Sequence, residues 1–127
     1  MRQRLVVWTA IAAAVVITSW VLAADFTGTW LGTTEVRDRG TDRLTLVLKK
    51  GPSGYSGTAT DSLELIAKDT AITDVKLDGG VLTFSVPTAD GVHSVTIRMQ
   101  FKGDKATGEW ATAEGDLGTL VFEKQKK

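Results

Sequence analysis

The stretch 92–112 limits the choice of fold more than any other part of the sequence. Between Val95 and Phe101 every second side chain is apolar, and the side chains between them are polar. This period of two residues is typical of a strand with one buried face. Residues 102–104, Lys-Gly-Asp, then have the composition of a tight turn, and a further strand-like segment continues to Thr112. The stretch therefore predicts an antiparallel hairpin.

Similar strand-like segments recur from Phe26 onward, with almost no helical periodicity. Glycine-rich turns separate them, and the clearest is Asp-Gly-Gly at 78–80. The other connections are a charged loop at 37–42 and the segment 62–69, which predicts a short lid or plug. That segment is either one helical turn capped by Ser62 or an irregular crossing over the core. The predicted strands cover residues 28–36, 43–50, 55–61, 71–77, 81–87, 92–101, 105–112 and 117–124.

Eight short strands joined in order by short turns favour an up-and-down sheet. Closure of such a sheet removes its two exposed edges, so the predicted class is all-β, an eight-stranded antiparallel barrel. A two-sheet β-sandwich is the alternative. With eight strands the interior is either filled by side chains or holds one small ligand. The large side chains expected to face inward are Trp30, Leu44, Leu46, Leu48, Tyr55, Val75, Leu77, Leu82, Phe84, Val86, Val95, Ile97, Met99, Phe101, Trp110, Leu120 and Phe122.

Residues 1–24 differ in kind from the rest of the chain. Arg2 and Arg4 form a basic start, the segment 5–17 is almost wholly apolar, and small residues follow. This is the order of a secretory signal peptide, so residues 1–24 are predicted to be cleaved and 25–127 to form a single barrel domain. The alternative is an uncleaved anchor, because the segment after Arg4 is long enough to cross a bilayer. Either way we expect export, to the periplasm or out of the cell.

The chain has no cysteine, so it can form neither a disulfide nor a lipid-modified cysteine. Stability must therefore come from burial of apolar side chains and from strand pairing. Loss of Arg2 and Arg4 takes two from the 15 basic side chains against 15 acidic ones, which leaves a net charge of −2. No basic stripe remains for a polyanion, so nucleic acid is not an expected partner. After signal cleavage no membrane contact is expected either.

The first predicted strand opens with Phe-Thr-Gly-Thr-Trp at 26–30. An exported barrel that begins with a Gly-x-Trp motif resembles the calycin superfamily, which includes lipocalins and avidin-like proteins. The resemblance implies that Trp30 closes one end of the barrel and that Lys124, on the last strand, covers it. Biotin binding is not implied, because the chain has no asparagine and the polar contacts of avidin-like proteins find no match. The chain also resembles small exported bacterial proteins without an assigned activity, which repeat the Gly-x-Trp motif as this chain does at 108–110.

His93 is the only histidine and a candidate for catalysis or binding. By alternation it shares a face with Val95, so it could point into the barrel mouth as a base, a haem ligand or a pH-sensitive contact. The favoured interpretation is a rim histidine bonded to a loop, because a catalytic base usually needs a third group to orient it. Ser94 cannot act as its nucleophile, since neighbouring strand residues point to opposite faces.

Metal chemistry and paired-carboxylate chemistry find no support in the sequence. One histidine without cysteine falls short of the three or four nitrogen or sulfur ligands of a zinc site. The turn carboxylates lack the spacing of a calcium loop, and no two carboxylates are placed as a glycosidase pair would be. We therefore predict no catalytic residue, no metal site and no cofactor.

The leading functional hypothesis is a non-enzymatic exported barrel that binds a small, mainly apolar molecule in its mouth. The alternative is a filled barrel that acts through its loops at 37–42 and 62–69, as an envelope factor or as an inhibitor of a secreted enzyme. A hydrolase or isomerase that uses His93 is the third class. An open interior favours binding, a filled interior favours interaction, and a hydrogen-bonded His93 inside a cleft favours catalysis. The side chains predicted to contact a ligand are Tyr55, Phe84, His93, Met99 and Trp110.

Overall fold

Nine antiparallel strands form the part of the protein that the computed structural model describes, residues 25–126. The predicted signal segment, 1–24, lies outside the described residues. Within residues 25–126 no helix has the length and apolar character needed to cross a membrane. The strands are β1 (Gly28–Val36), β2 (Gly40–Gly51), β3 (Gly54–Asp61), β4 (Thr70–Ala71), β5 (Thr73–Asp78), β6 (Val81–Pro87), β7 (Ser94–Lys102), β8 (Lys105–Thr112) and β9 (Leu117–Lys124).

The strands form one sheet in the order β4-β3-β2-β1-β9-β8-β7-β6-β5. The two strands at the ends of this order, β4 and β5, are consecutive in the chain, and only Ile72 separates them. The amide of Ile72 donates a hydrogen bond to the carbonyl of Gly57 in β3, at 3.0 Å. The sheet therefore curls into a nearly closed antiparallel barrel rather than a two-sheet sandwich, which confirms the predicted all-β class.

The prediction of eight strands is wrong because the strand expected at 71–77 is divided in two. β4 pairs with β3 whereas β5 pairs with β6, so the strand breaks at Ile72, where the chain changes partner. The register of β5 against β6 shifts between Thr73 and Lys76, and Asp74 adopts a positive φ of 51°. Such a shift is typical of a β-bulge, which bends a strand and interrupts regular pairing. The alternation of apolar and polar residues at 71–77 does not indicate this change of partner strand.

The second strand begins earlier than predicted, at Gly40 rather than at residue 43. Only residues 37–39 form the turn, and the amide of Arg39 donates a hydrogen bond to the carbonyl of Val36 at 3.0 Å. Residues 40–42, which were expected to belong to the loop, are instead paired with β1, and Asp42 lies opposite Thr34. Asp42 therefore shares the inner face of β2 with Leu44.

Alternating side chains from the long strands fill the middle of the barrel. Gly32 permits close packing, since a Cβ there would come 2.6 Å from the ring of Phe122. Leu77, predicted to face the core, is exposed because β5 is the last strand of the sheet order and has a paired strand on one side only. The largest fully buried side chains, all from the set predicted to face inward, are Trp30, Phe84, Phe122, Leu46, Leu48, Leu82, Met99 and Val86.

Three aromatic rings close one end of the barrel. Phe26, which precedes β1, stacks on Phe101 with the ring centroids 3.9 Å apart, and Trp30 meets Phe101 edge-on at 5.0 Å. The indole Nε1 of Trp30 donates a hydrogen bond to the carbonyl of Phe26 at 3.0 Å. Aromatic pairs of this kind contribute about 0.5–1.5 kcal/mol each beyond the burial of their surface. We call the end formed by Phe26, Trp30 and Phe101 the closed end.

Lys124 and Tyr55 support the closed end. The ammonium group of Lys124 lies 5.9 Å from the centroid of the Trp30 ring, within reach of a cation–π contact. This is the arrangement that the calycin resemblance implies for these two residues. The hydroxyl of Tyr55 accepts a hydrogen bond from the amide of Phe26 at 3.0 Å and donates one to Asp25 at 3.2 Å. The segment before β1 is thereby fastened across the end of the barrel.

Candidate functional site

A cavity of about 420 Å³ opens at the opposite end of the barrel. Its volume lies in the range of about 300–1,000 Å³ that small-molecule sites have. The interior is therefore packed at one end and open at the other, and we call the end with the cavity the open end. The apolar residues that line the cavity are Val36, Leu44, Leu65, Ile66, Val86, Val95, Ile97, Trp110 and Leu120.

The segment 62–66, which we call the lid, crosses the open end without forming a helix or a regular strand. Ile66 is buried and forms an isolated bridge with Thr88, just after β6. The carbonyl of Leu65 accepts a hydrogen bond from the amide of Ala89 at 2.8 Å. The lid thus runs from the end of β3 to the end of β6, and of the two predicted forms it takes the irregular crossing.

Two buried aspartates hold the lid. Asp42 and Asp61 are each 7% exposed, and they are the only buried charged residues among those described. Asp61 accepts hydrogen bonds from the amides of Leu65 at 3.1 Å and of Ile66 at 3.0 Å. Asp42 Oδ1 accepts one from the amide of Leu63 at 3.1 Å. Because an irregular segment leaves its amides without strand partners, these carboxylates supply the missing acceptors.

The environment of Asp42 raises its pKa from 3.8 to about 6. Burial is the main cause, since it penalises the charged carboxylate, and hydrogen bonding with the carboxyl group of Asp61 is the second. The two groups meet because Asp61 lies opposite Leu44, and Asp42 is the next inward residue along β2. This pair was not singled out from the sequence. If the alternation of inward and outward residues is extended to positions 42 and 61, it predicts that both side chains face inward.

Asp42→Asn should weaken a pH dependence of stability. Between pH 3.8 and about 6 the folded state keeps the Asp42 proton whereas the unfolded state has lost it, so the free energy of unfolding falls as pH rises through this window. We expect a fall of about 1 kcal/mol from this group, because screening by solvent at the open end weakens the effect. Asparagine keeps an acceptor oxygen for the lid and has no proton to lose.

Urea unfolding at about pH 4 and about pH 7 checks this expectation. The exposed Asp38 provides the control, because Asp38→Asn changes the same functional group away from the cavity. The stability difference between the two pH values should be smaller in Asp42→Asn than in Asp38→Asn. The same difference in both variants would show that Asp42 does not hold its proton in the folded state.

His93 lies at the rim of the open end, with its side chain 45% exposed. Its Nδ1 lies 3.1 Å from Asp90 Oδ2, and its Nε2 lies 3.5 Å from Glu114 Oε1. Asp90 is itself held by the hydroxyl of Thr88 at 2.5 Å and by the amide of Val92 at 2.9 Å. The hydrogen bond with Asp90 is the main cause that raises the pKa of His93, and the charge of Glu114 adds to it. His93 therefore keeps its proton to a higher pH than a free imidazole does.

This arrangement orients His93 through its hydrogen bond with Asp90 and places Glu114 beside the other ring nitrogen. A general base needs one nitrogen free to accept a proton, and both nitrogens face carboxylates here. The raised pKa also lowers the fraction of neutral imidazole that could act as a base. Among residues 25–126 no group of three or more His, Cys, Asp or Glu side chains is arranged to hold a metal ion.

Trp110 forms part of the cavity wall and depends on a glycine for its position. Its Nε1 donates a hydrogen bond to Thr34 Oγ1 at 2.9 Å, so the indole reaches across β9 to β1. It can do so because Gly118, its partner on β9, has no side chain: a Cβ there would come 2.3 Å from Trp110 Nε1. The hydrogen bond satisfies the polar end of the indole and leaves the apolar ring to line the cavity.

Two of the five predicted ligand contacts, His93 and Trp110, line the cavity. Phe84 and Met99 are buried in the packed middle of the barrel and do not line it. Tyr55 lies at the closed end and not at the mouth, because the turn between β2 and β3 is beside the start of β1. Alternation indicates which face a residue occupies but not its height along the barrel axis.

Two solved structures resemble the whole barrel. Fatty-acid-binding protein 1 of Echinococcus granulosus matches with a TM-score of 0.52 and 13% sequence identity, over 80% of this chain and 98% of that one. A mutant of the fluorescent protein UnaG matches with a TM-score of 0.51 and 14% identity, over 80% of this chain and 97% of that one. No model of a protein family and no curated protein matches the sequence. At these identities the likeness shows the fold alone, and it confirms the antiparallel β-barrel expected from the sequence.

Proposed function

We propose that this chain is an exported, non-enzymatic barrel that binds a small, mainly apolar molecule in the cavity at the open end. The observation that carries the proposal is the contrast between the two ends. Aromatic rings close one end, whereas the other keeps about 420 Å³ of space with apolar walls. Protein interiors leave few spaces larger than a water molecule, so a cavity of this size in so small a domain favours a ligand. The resemblance to fatty-acid-binding protein 1 supports the use of such a barrel for binding.

Export is proposed from residues 1–24, whose basic start and apolar run have the order of a signal peptide. The resemblance to small exported bacterial proteins supports the same location. We therefore place the domain in the periplasm or outside the cell. A chain without cysteine does not depend on the redox state of either compartment.

The two competing functions fit the geometry less well. An interaction barrel predicts a filled interior and a long charged loop at 37–42, whereas the interior is open at one end and only 37–39 form a turn. An enzyme that uses His93 as a base needs a free ring nitrogen, and both nitrogens face carboxylates. Binding of a small molecule requires neither feature.

Replacement of Val95 by tryptophan tests the proposal. Val95 lines the cavity, so a tryptophan there would occupy space that a ligand needs. Thr96 is the next residue of β7 and is exposed on the outer face, which makes Thr96→Trp a matched control. We expect a neutral environment-sensitive dye such as Nile red to bind the wild type and Thr96→Trp alike. Val95→Trp should bind it at least about tenfold more weakly, a loss of about 1.4 kcal/mol. Equal affinity in all three proteins, or no binding to the wild type, would contradict the proposal.

A further inference from the structure

The charged residues around the cavity are almost all of one sign. None of the described residues that line it is a lysine or an arginine, and Arg39, which touches the lid at the carbonyl of Leu63, is not among them. His93 is the one basic group among the described residues that line the cavity, and Asp90 and Glu114 already face its ring nitrogens. The open end therefore attracts cations and repels anions. The six acidic residues that line the cavity are Asp42, Asp61, Glu64, Asp90, Glu114 and Asp116.

Asp42 and Asp61 differ from the rim carboxylates in depth. Each is 7% exposed, whereas the side chain of Asp90 is 56% exposed. The hydroxyl of Ser62 and the amide of Leu63 both donate to Asp42 Oδ1. The carboxyl group of Asp61 is the other hydrogen-bonding neighbour of Asp42. Two adjacent buried carboxyl groups without a basic side chain beside them are stabilised by a shared proton or by a cation from outside.

We propose that the ligand of this cavity is an amphipathic amine, with its apolar body against Leu44, Ile97 and Leu120 and its ammonium group bound by Asp42 and Asp61. This inference rests on the proposed function, because it names the ligand class for the same cavity. An ammonium group presents three N–H donors, and charge-assisted hydrogen bonds to carboxylates are about twice as strong as neutral ones. The apolar walls strengthen the attraction further, since they lower the local dielectric constant.

The same geometry disfavours a fatty acid. A buried carboxylate needs a cationic or hydrogen-bonding partner, and no lysine or arginine lines the cavity among the described residues. Beside Asp42 and Asp61 a third carboxylate would also be repelled. The likeness to fatty-acid-binding protein 1 is one of fold, and the charge around this cavity favours a ligand of opposite charge.

Three unbranched ligands with ten carbon atoms each test the inference: decylamine, decanol and decanoate. Each competes with Nile red for the full-length protein at about pH 7.5, above the Asp42 pKa of about 6, and below the concentrations at which these amphiphiles associate. We expect decylamine to displace the dye at a concentration at least about tenfold lower than decanol does. Decanoate should be the weakest competitor of the three.

The outcomes separate the inference from the proposed function. If decanol displaces the dye and decanoate competes as well as decylamine, the cavity binds apolar molecules and the inference is overturned. If neither the dye nor any of the three ligands binds, the proposed function fails and the inference fails with it. A preference for decylamine over decanol and decanoate supports the proposed function and the inference together.

Asp42→Asn and Asp61→Asn assign the preference to the buried pair. In each variant the affinity for decylamine relative to that for decanol should fall at least about fivefold, because one of the two carboxylates can no longer bind the ammonium group as an anion. Glu114→Gln, at the exposed rim, should change the preference less. If both aspartate variants prefer decylamine over decanol as strongly as the wild type does, Asp42 and Asp61 do not bind the ammonium group.

A fourth ligand keeps the test valid if either aspartate variant fails to fold. Decyltrimethylammonium has the same charge and alkyl chain as decylamine but no N–H donor. Because the proposed contact is a charge-assisted hydrogen bond, it should bind the wild type at least about fivefold more weakly than decylamine. Equal affinity for the two cations would overturn recognition by hydrogen bonds to Asp42 and Asp61.

Discussion

Trp30→Ala should lower the melting temperature of this barrel by roughly 15 °C or more, which corresponds to a loss of about 3–5 kcal/mol in the free energy of unfolding. The indole is fully buried, meets Phe101 edge-on and donates its N–H to the carbonyl of Phe26. Alanine would leave a void at the closed end and leave the Phe26 carbonyl without its donor. Thermal unfolding followed by circular dichroism measures the effect.

Leu31 provides the matched control for this substitution. It is the next residue of β1, points to the outer face and is exposed, so Leu31→Ala should change the free energy of unfolding by no more than about 0.5 kcal/mol. The melting temperature of Trp30→Phe should lie between those of Trp30→Ala and Leu31→Ala, because phenylalanine keeps an aromatic ring and loses the N–H donor. Equal melting temperatures for Trp30→Ala and Leu31→Ala would show that the aromatic closure does not stabilise the barrel.

Gly118→Val should reduce ligand binding at the open end at least about tenfold. Gly118 and Trp110 are partners across β8 and β9, so a side chain at 118 would point inward, where the indole now lies. A Cβ there would come 2.3 Å from Trp110 Nε1, and the ring would have to move toward the barrel axis. This movement breaks the hydrogen bond to Thr34 and fills the cavity, and overpacking of this kind costs about 1–3 kcal/mol of stability.

Thr119→Val is the control for Gly118→Val, because Thr119 is the adjacent residue of β9 and is exposed on the outer face. It introduces the same side chain without touching Trp110. Nile red affinity should remain at the wild-type value in Thr119→Val and fall in Gly118→Val. If Gly118→Val binds the dye as well as Thr119→Val does, the position of the Trp110 indole does not determine the space at the open end.

The inner face of the barrel could be predicted because it follows from local alternation. Phe84 and Phe122 are fully buried, as a period of two residues predicts for strands with one face on a core. The class of the fold follows from the same pattern, since short strands joined by short turns favour an up-and-down sheet that closes. Both inferences need only residues that are near one another in the sequence.

The site was less predictable because it depends on relations between distant segments. The height of Tyr55 along the barrel axis follows from the pairing of β2 with β1, which alternation does not indicate. Asp42 and Asp61 are separated by a whole hairpin, and their shared role appears only when the lid crosses above them. The break at Ile72 arises because one strand has to serve two different neighbours.

Binding at the open end is tested most directly by the indole N–H signals of Trp110 and Trp30 in a nuclear magnetic resonance titration with decanol. Trp110 lines the cavity and Trp30 lies at the closed end, so the two signals report on opposite ends of one molecule. Substitution of each tryptophan by phenylalanine assigns them. Binding in the cavity predicts that the Trp110 signal shifts and saturates while the Trp30 signal stays in place. A shift of Trp30 alone, or saturable binding that moves neither signal, would contradict a ligand site at the open end.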